Sequence, residues 1–178
     1  MSFLYIAVGV IVLGIVFVAW GMARLRKRNA QVNDLIRRLK IGDLNHLMAE
    51  ARERLLKCYG VTIDLQDGNA AAKALSDLFD DKAKLESAFS KKNVSWYFVF
   101  PIGSLVGEFM RIHARGVWKS GSDGLYMEIP VEDGTATCYP FEKVLKQFNQ
   151  GAEGDLFAFL KSSTALSSLD AGKSSPHP

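Results

Sequence analysis

Pro101-Ile-Gly-Ser-Leu-Val-Gly-Glu-Phe-Met-Arg-Ile-His113 and, just beyond it, Gly116-Val-Trp-Lys-Ser-Gly-Ser-Asp-Gly-Leu-Tyr-Met-Glu-Ile-Pro-Val-Glu-Asp-Gly-Thr-Ala-Thr-Cys-Tyr139 decide the fold, because the hydrophobic period changes between them. In the first stretch Ile102, Leu105, Val106, Phe109, Met110 and His113 recur on one face and Ser104, Glu108, Arg111 and Arg115 on another, which is helical spacing. Gly103 and Gly107 lie on that helix four residues apart, and with no side chain there another element can approach the backbone closely. In the second stretch Val117 to Ser120, Leu125 to Val131 and Thr135 to Tyr139 alternate, separated by a turn at Gly121 to Gly124 and by Asp133-Gly134, a strong hairpin signal. Leu125, Met127, Ile129 and Val131 are expected to face the helices, and Tyr126, Glu128 and Glu132 the solvent. The fold class that follows is α+β: a helical body with a three-stranded antiparallel meander.

On the C-terminal side, Phe141, Val144, Leu145 and Phe148 mark a helix that Gly151 ends, and Asp155 caps a short last one carrying Leu156, Phe159 and Leu160. Residues 163–178 are rich in Ser and are expected to be a disordered tail. On the N-terminal side, Val94 to Phe100 is aromatic and β-branched yet runs into Pro101, a favoured first helical residue, and leans to helix. Before it the pattern predicts a short helix over Lys82 to Phe89 and another through Ala71, Ala74, Leu75, Leu78 and Phe79, entered by a turn at Asp67-Gly68. Val61 to Leu65 reads as a short extended piece. Leu44, Leu47, Met48, Ala51, Leu55 and Cys58 draw a helical stripe with Asp43 as N-cap and Gly60 beyond its end.

Phe3 to Ala23 is a run of 21 residues without a charge. At about 1.5 Å per residue a helix of that length crosses a hydrocarbon core of about 30 Å. Only Met1 and Ser2 precede it, with no basic residue before the apolar run, so cleavage as a signal peptide is not expected. Tyr5 and Trp20 suit the two interfaces. Between Arg24 and Lys40 stand seven basic residues against Asp34 alone, a local charge of +6, while the remaining 15 basic and 18 acidic residues leave the body at −3 within the overall +3. An acidic body argues against a nucleic-acid module, and a basic collar against a hydrophobic helix fits anionic head groups and cytoplasmic orientation. Four segments are expected: a transmembrane anchor and basic flank (1–28), a helical stalk (29–41) in which Val32, Leu35, Ile36 and Leu39 recur, a cytoplasmic α+β domain (42–162) and the tail. The site is the cell inner membrane, crossed once, with the N-terminus outside.

Few residues point to chemistry. Glu108, Arg111 and His113 supply a carboxylate, a guanidinium and an imidazole on one helix, but Glu108 and Arg111 are i, i+3 neighbours that pair with each other. His113 falls on the apolar stripe, about 140° away around the helix. His46, His113 and His177 do not form a metal-site spacing, and no metal or cofactor is implied. Cys58 and Cys138 match no redox or zinc pattern and read as small core residues in a reducing compartment. No G-x-S-x-G or phosphate-cradling loop is present. Trp96, Tyr97, Trp118 and Tyr126 are mostly expected to be packed, with Trp118 the strongest candidate for a recognition surface.

The segment Pro101 to Arg111, then Gly116-Val-Trp118, the strands, and Pro140-Phe-Glu-Lys-Val144, resembles a family of small bacterial domains of unknown function. Its pattern is a Gly-x-x-x-Gly-Glu helix, a Gly-x-Trp strand, a meander and a Pro-Phe-x-Lys-Val helix, covering about residues 55–162 here, with Gly60-Val-Thr-Ile-Asp64 fitting upstream. Ala114-Arg115-Gly116 stands where that family more usually carries Gly-Gly. The resemblance implies a fold rather than a reaction, and it implies a polar cluster of Glu108, Arg111 and Lys143 between helix and sheet, structural by default and a binding site if exposed, with Trp118 counted in the same candidate cluster. The expected function is a membrane-anchored, non-catalytic module meeting a protein partner at the cytoplasmic face, in the manner of an immunity or accessory protein. The alternatives are a membrane-anchored enzyme on a small substrate using Glu108, Arg111 and His113, and a scaffold in an envelope complex.

Overall fold

A computed structural model describes Ala23, Lys27 and residues 30–80, 98–150 and 155–171. The chain divides into two units, Met1–Leu35 and Ile36–Pro178. In the first, residues 30–35 are helical, and Phe3 to Met22 of the expected membrane segment lie outside the described residues. The expected helix over Lys82 to Phe89 and residues 94–97 lie outside them as well. Among the described residues no helix is long and apolar enough to cross a membrane.

The second unit is α+β. After a 3-10 turn at Ile41–Asp43 come α1 (Leu44–Tyr59), α2 (Gly68–Asp77), α3 (Phe100–His113), strands β1 (Val117–Gly121), β2 (Gly124–Val131) and β3 (Gly134–Cys138), then α4 (Pro140–Gln150) and α5 (Leu156–Ala171). The strands form an antiparallel meander in the order β1-β2-β3. Trp118 faces Met127 and Met127 faces Cys138, so these three share one face of the sheet. Leu125, Met127 and Ile129 are buried while Tyr126 and Glu128 are only half-covered, the alternation that the period of two requires.

α3 is the hub, in contact with α1, α2, α4, α5, β1 and β2. Every residue from Phe100 to Gly107 is buried, Ser104 included, so the helix has no polar face over its first two turns. Ser104 is accommodated because its Oγ donates to the Pro101 carbonyl at 2.7 Å, leaving no bare hydroxyl in the core. Phe98 and Val99 already run helically into α3, and both are buried.

The glycine pair does what its spacing predicts. A Cβ on Gly103 would stand 3.0 Å from Phe141 Cε1 and 3.1 Å from that residue's own Cα; one on Gly107 would overlap the Trp118 ring. α4 therefore packs its main chain against one glycine, and β1 lays an indole over the other.

Helix ends follow local chemistry, with one departure. Gly60 takes φ 66° and its N–H donates to Leu56 O at 3.0 Å, while Val61 N–H reaches Leu55 O at 3.3 Å, closing α1 in the left-handed manner glycine favours. Asp67 Oδ1 accepts from Ala70 N–H at 3.0 Å at the start of α2. Asp67→Ala is expected to cost about 1 kcal/mol, the usual value of an N-cap, read as a shift in the urea midpoint. Asp43, expected to cap α1, instead accepts from Lys40 N–H at 2.9 Å and closes the preceding turn, because its backbone is already helical. Asp155 caps α5 through Ala158 N–H at 2.8 Å. α5 then continues past Ser162 to Ala171, and Ser163 is buried with its hydroxyl donating to Leu160 O at 2.7 Å, so serine content alone does not end the folded chain. Arg115, after the end of α3, takes φ 54°.

Candidate functional site

Two i, i+3 neighbours on the last turns of α3 define the centre of the candidate site. Arg111 donates from Nε and a terminal nitrogen to both Glu108 carboxylate oxygens, each at 2.8 Å. This two-pronged bond raises the Arg111 pKa above its ordinary value, the hydrogen bond first and the carboxylate's charge second. The carboxylate side chain is 17% exposed and its partner 55%, so Glu108 is held inward and the guanidinium lies over it towards solvent.

Trp118 stands beside this pair without joining it. Its ring covers Gly107 and meets Phe141 at 5.6 Å between centroids, tilted by 34°. Lys143 goes elsewhere: its Nζ lies 4.9 Å above the Phe159 ring, and burial lowers its pKa, with the neighbouring Lys146 adding to the effect and Asp155 opposing it. The predicted group Glu108, Arg111, Trp118 and Lys143 is thus distributed as an ion pair, an aromatic packing contact and a cation-over-ring contact on a different helix pair.

His113 also has a structural placement. Its Nε2 is 2.7 Å from the Leu65 carbonyl, its ring stacks at 4.6 Å on Phe109, and a Cβ on Gly68 would be 3.1 Å from it. The imidazole fastens the end of α3 to the loop before α2. Of Glu108, Arg111 and His113, Glu108 alone lines the cleft formed by the described residues between α1 and α3. Among the described residues no group of three His, Cys, Asp or Glu is placed to hold a metal ion.

What lies against Glu108 is a cleft of about 570 Å³ between α1, residues 61–66 and α3. Leu55, Leu56, Val61, Ile63, Leu65 and Ile112 give it apolar walls, and Arg52, Glu53, Asp64 and Glu108 supply the charges. That volume is in the range of small-ligand and peptide sites. The sequence holds one trace of it, the short non-helical run after Gly60, which marks a wall but not the space beside it.

Cys138 is held as a protonated thiol. Cys138 Sγ donates weakly to Met110 Sδ at 3.8 Å, and burial pushes its pKa up to about 12. At pH 8 only about one such thiol in ten thousand is ionised, so a thiol reagent is expected to modify Cys138 only after unfolding. The unfolded thiol ionises near pH 9 while the folded one keeps its proton, so this group's stabilising contribution is present below pH 9 and declines as pH rises towards 12.

No protein-family model, curated protein or solved structure matches the chain, and the reading of this site rests on its own geometry.

Proposed function

We propose that the chain is a single-pass membrane-anchored module that binds a protein partner at the cytoplasmic face, in the manner of an immunity or accessory protein. The observation that carries this reading is the engagement of the groups that would have to react. Glu108 is chelated by Arg111, and His113 is spent on the Leu65 carbonyl. Beside them lies a cleft with mostly apolar walls, the composition of a recognition surface rather than of an acid–base centre. The uncharged run Phe3 to Ala23 and the basic collar after it support the anchor and its orientation.

Purification of the intact chain from membranes in mild detergent tests the reading. One protein is expected to co-purify in a fixed ratio, and recovery of the bare chain overturns it. Protease added to spheroplasts is expected to spare the C-terminal unit; its digestion overturns the topology.

A further inference from the structure

We infer that the cleft between α1, residues 61–66 and α3 receives an extended peptide of a partner protein, paired through its main chain with Thr62–Asp64 and bringing a cationic side chain to the acidic mouth; this rests on the binding-module reading.

The wall of the cleft is the first observation. Six consecutive residues, 61–66, line it. Burial along them alternates, with Thr62 and Asp64 exposed and Ile63 and Leu65 buried. Residues 61–64 carry no helix or turn, and successive side chains of such a piece leave on opposite sides, so side chains alone cannot put all four against one space. The main chain itself forms the wall.

That main chain is open for pairing. Among the described residues, no N–H or C=O of Thr62 or Ile63, and no N–H of Asp64, enters a backbone hydrogen bond, while the Asp64 carbonyl begins the turn at 65–66. Both ends of the segment are nonetheless fixed, by Val61 N–H on Leu55 O at 3.3 Å and by His113 on the Leu65 carbonyl at 2.7 Å. A held segment with a free middle is the template an added strand needs, and three residues offer about 10 Å of it. A helix would gain nothing from such a wall, because its own main-chain groups are bonded internally.

Side chains select the occupant further. Leu55, Ile63 and Ile112 make an apolar floor, and Leu56, 60% exposed, adds a lip. Glu53 and Asp64 line the cleft against one guanidinium, Arg52, while the third carboxylate there, Glu108, is already paired with Arg111. The mouth is acidic, so an arriving strand that alternates apolar residues with Lys or Arg is matched on both counts.

A phage library of random octapeptides, panned on the full chain in nanodiscs, provides the probe. Selected peptides are expected to alternate apolar residues and carry at least one Lys or Arg. Synthetic copies should bind about tenfold more weakly to Glu53→Lys and to Leu56→Asp, two exposed positions whose substitution leaves the core intact. N-methylation of the peptide backbone is expected to abolish binding at every second residue and to spare those between, the signature of strand pairing. Uniform tolerance of N-methylation, equal binding to both variants, or a panned library without an enriched sequence overturns the inference. If the intact chain still co-purifies with a partner while the peptides fail, the cleft assignment falls and the binding-module reading stands. If peptides bind as described and no partner co-purifies, the reverse holds.

Discussion

Gly107→Ala is expected to destabilise the second unit by about 3 kcal/mol, the upper part of the range for overpacking a filled core. The added carbon would overlap the Trp118 ring, with Cη2 at 2.5 Å. Neither partner yields cheaply. The glycine lies in the most enclosed part of α3, where every residue from Phe100 to Gly107 is buried. The indole is backed by Phe141 at 5.6 Å. Expelling the ring forfeits that contact, worth about 0.5–1.5 kcal/mol beyond its buried area. Pulse proteolysis of the full chain in micelles reads the loss. Trp118→Ala alone is also expected to destabilise, but adding it to Gly107→Ala should recover part of the deficit, because the collision is gone. Strict additivity of the two would show that ring and glycine do not meet.

Phe141→Ala is expected to cost about 3–5 kcal/mol, the range for emptying a buried aromatic site. Phe141 is fully buried. It stands edge-on to Phe100 at 6.2 Å and 88°, tilted against Trp118, and against Gly103 through its ring and its Cα. One ring therefore joins α4, α3 and β1, and its removal opens a void that three elements border. Collapse into that void is hindered because the α4 main chain already rests against Gly103, with the Phe141 Cα 3.1 Å from a hypothetical Cβ. Phe141→Leu should cost under half as much, since most of the volume is kept. A urea series on the two variants checks the ratio; equal costs would mean that shape, not volume, governs the site.

The fold was legible where one physical pattern had one reading. Period two from Val117 to Tyr139, with its Gly-containing turns, gives a meander and little else, and Gly103 and Gly107 advertise close contact because no other residue permits it. Ser104 falls off the apolar stripe because periodicity counts it as polar, yet its hydroxyl is satisfied within its own helix and can be buried. Asp43 departs from its expected role for a related reason: a carboxylate can close the turn before it or cap the helix after it, and backbone dihedrals decide which. His113 on the apolar stripe reads as packing, but its bond to a carbonyl 48 residues earlier is a tertiary fact with no local trace. The cleft is of the same kind. It is a space between three segments, and spacing within any one of them does not encode it.

The tip of the first hairpin has a consequence for how the chain is made. Gly124, at φ 106°, stands where a Cβ would be 2.9 Å from the Ile36 carbonyl oxygen, and Asp123 lies 3.7 Å from Arg37. These contacts join positions nearly ninety residues apart. At about 5–20 residues per second a ribosome takes several seconds to deliver the second after the first. During that interval Ile36 and Leu39, both buried in the finished protein, wait exposed to solvent. Translation pauses between codons 40 and 124 should therefore increase chaperone dependence, while pauses after the hairpin should not.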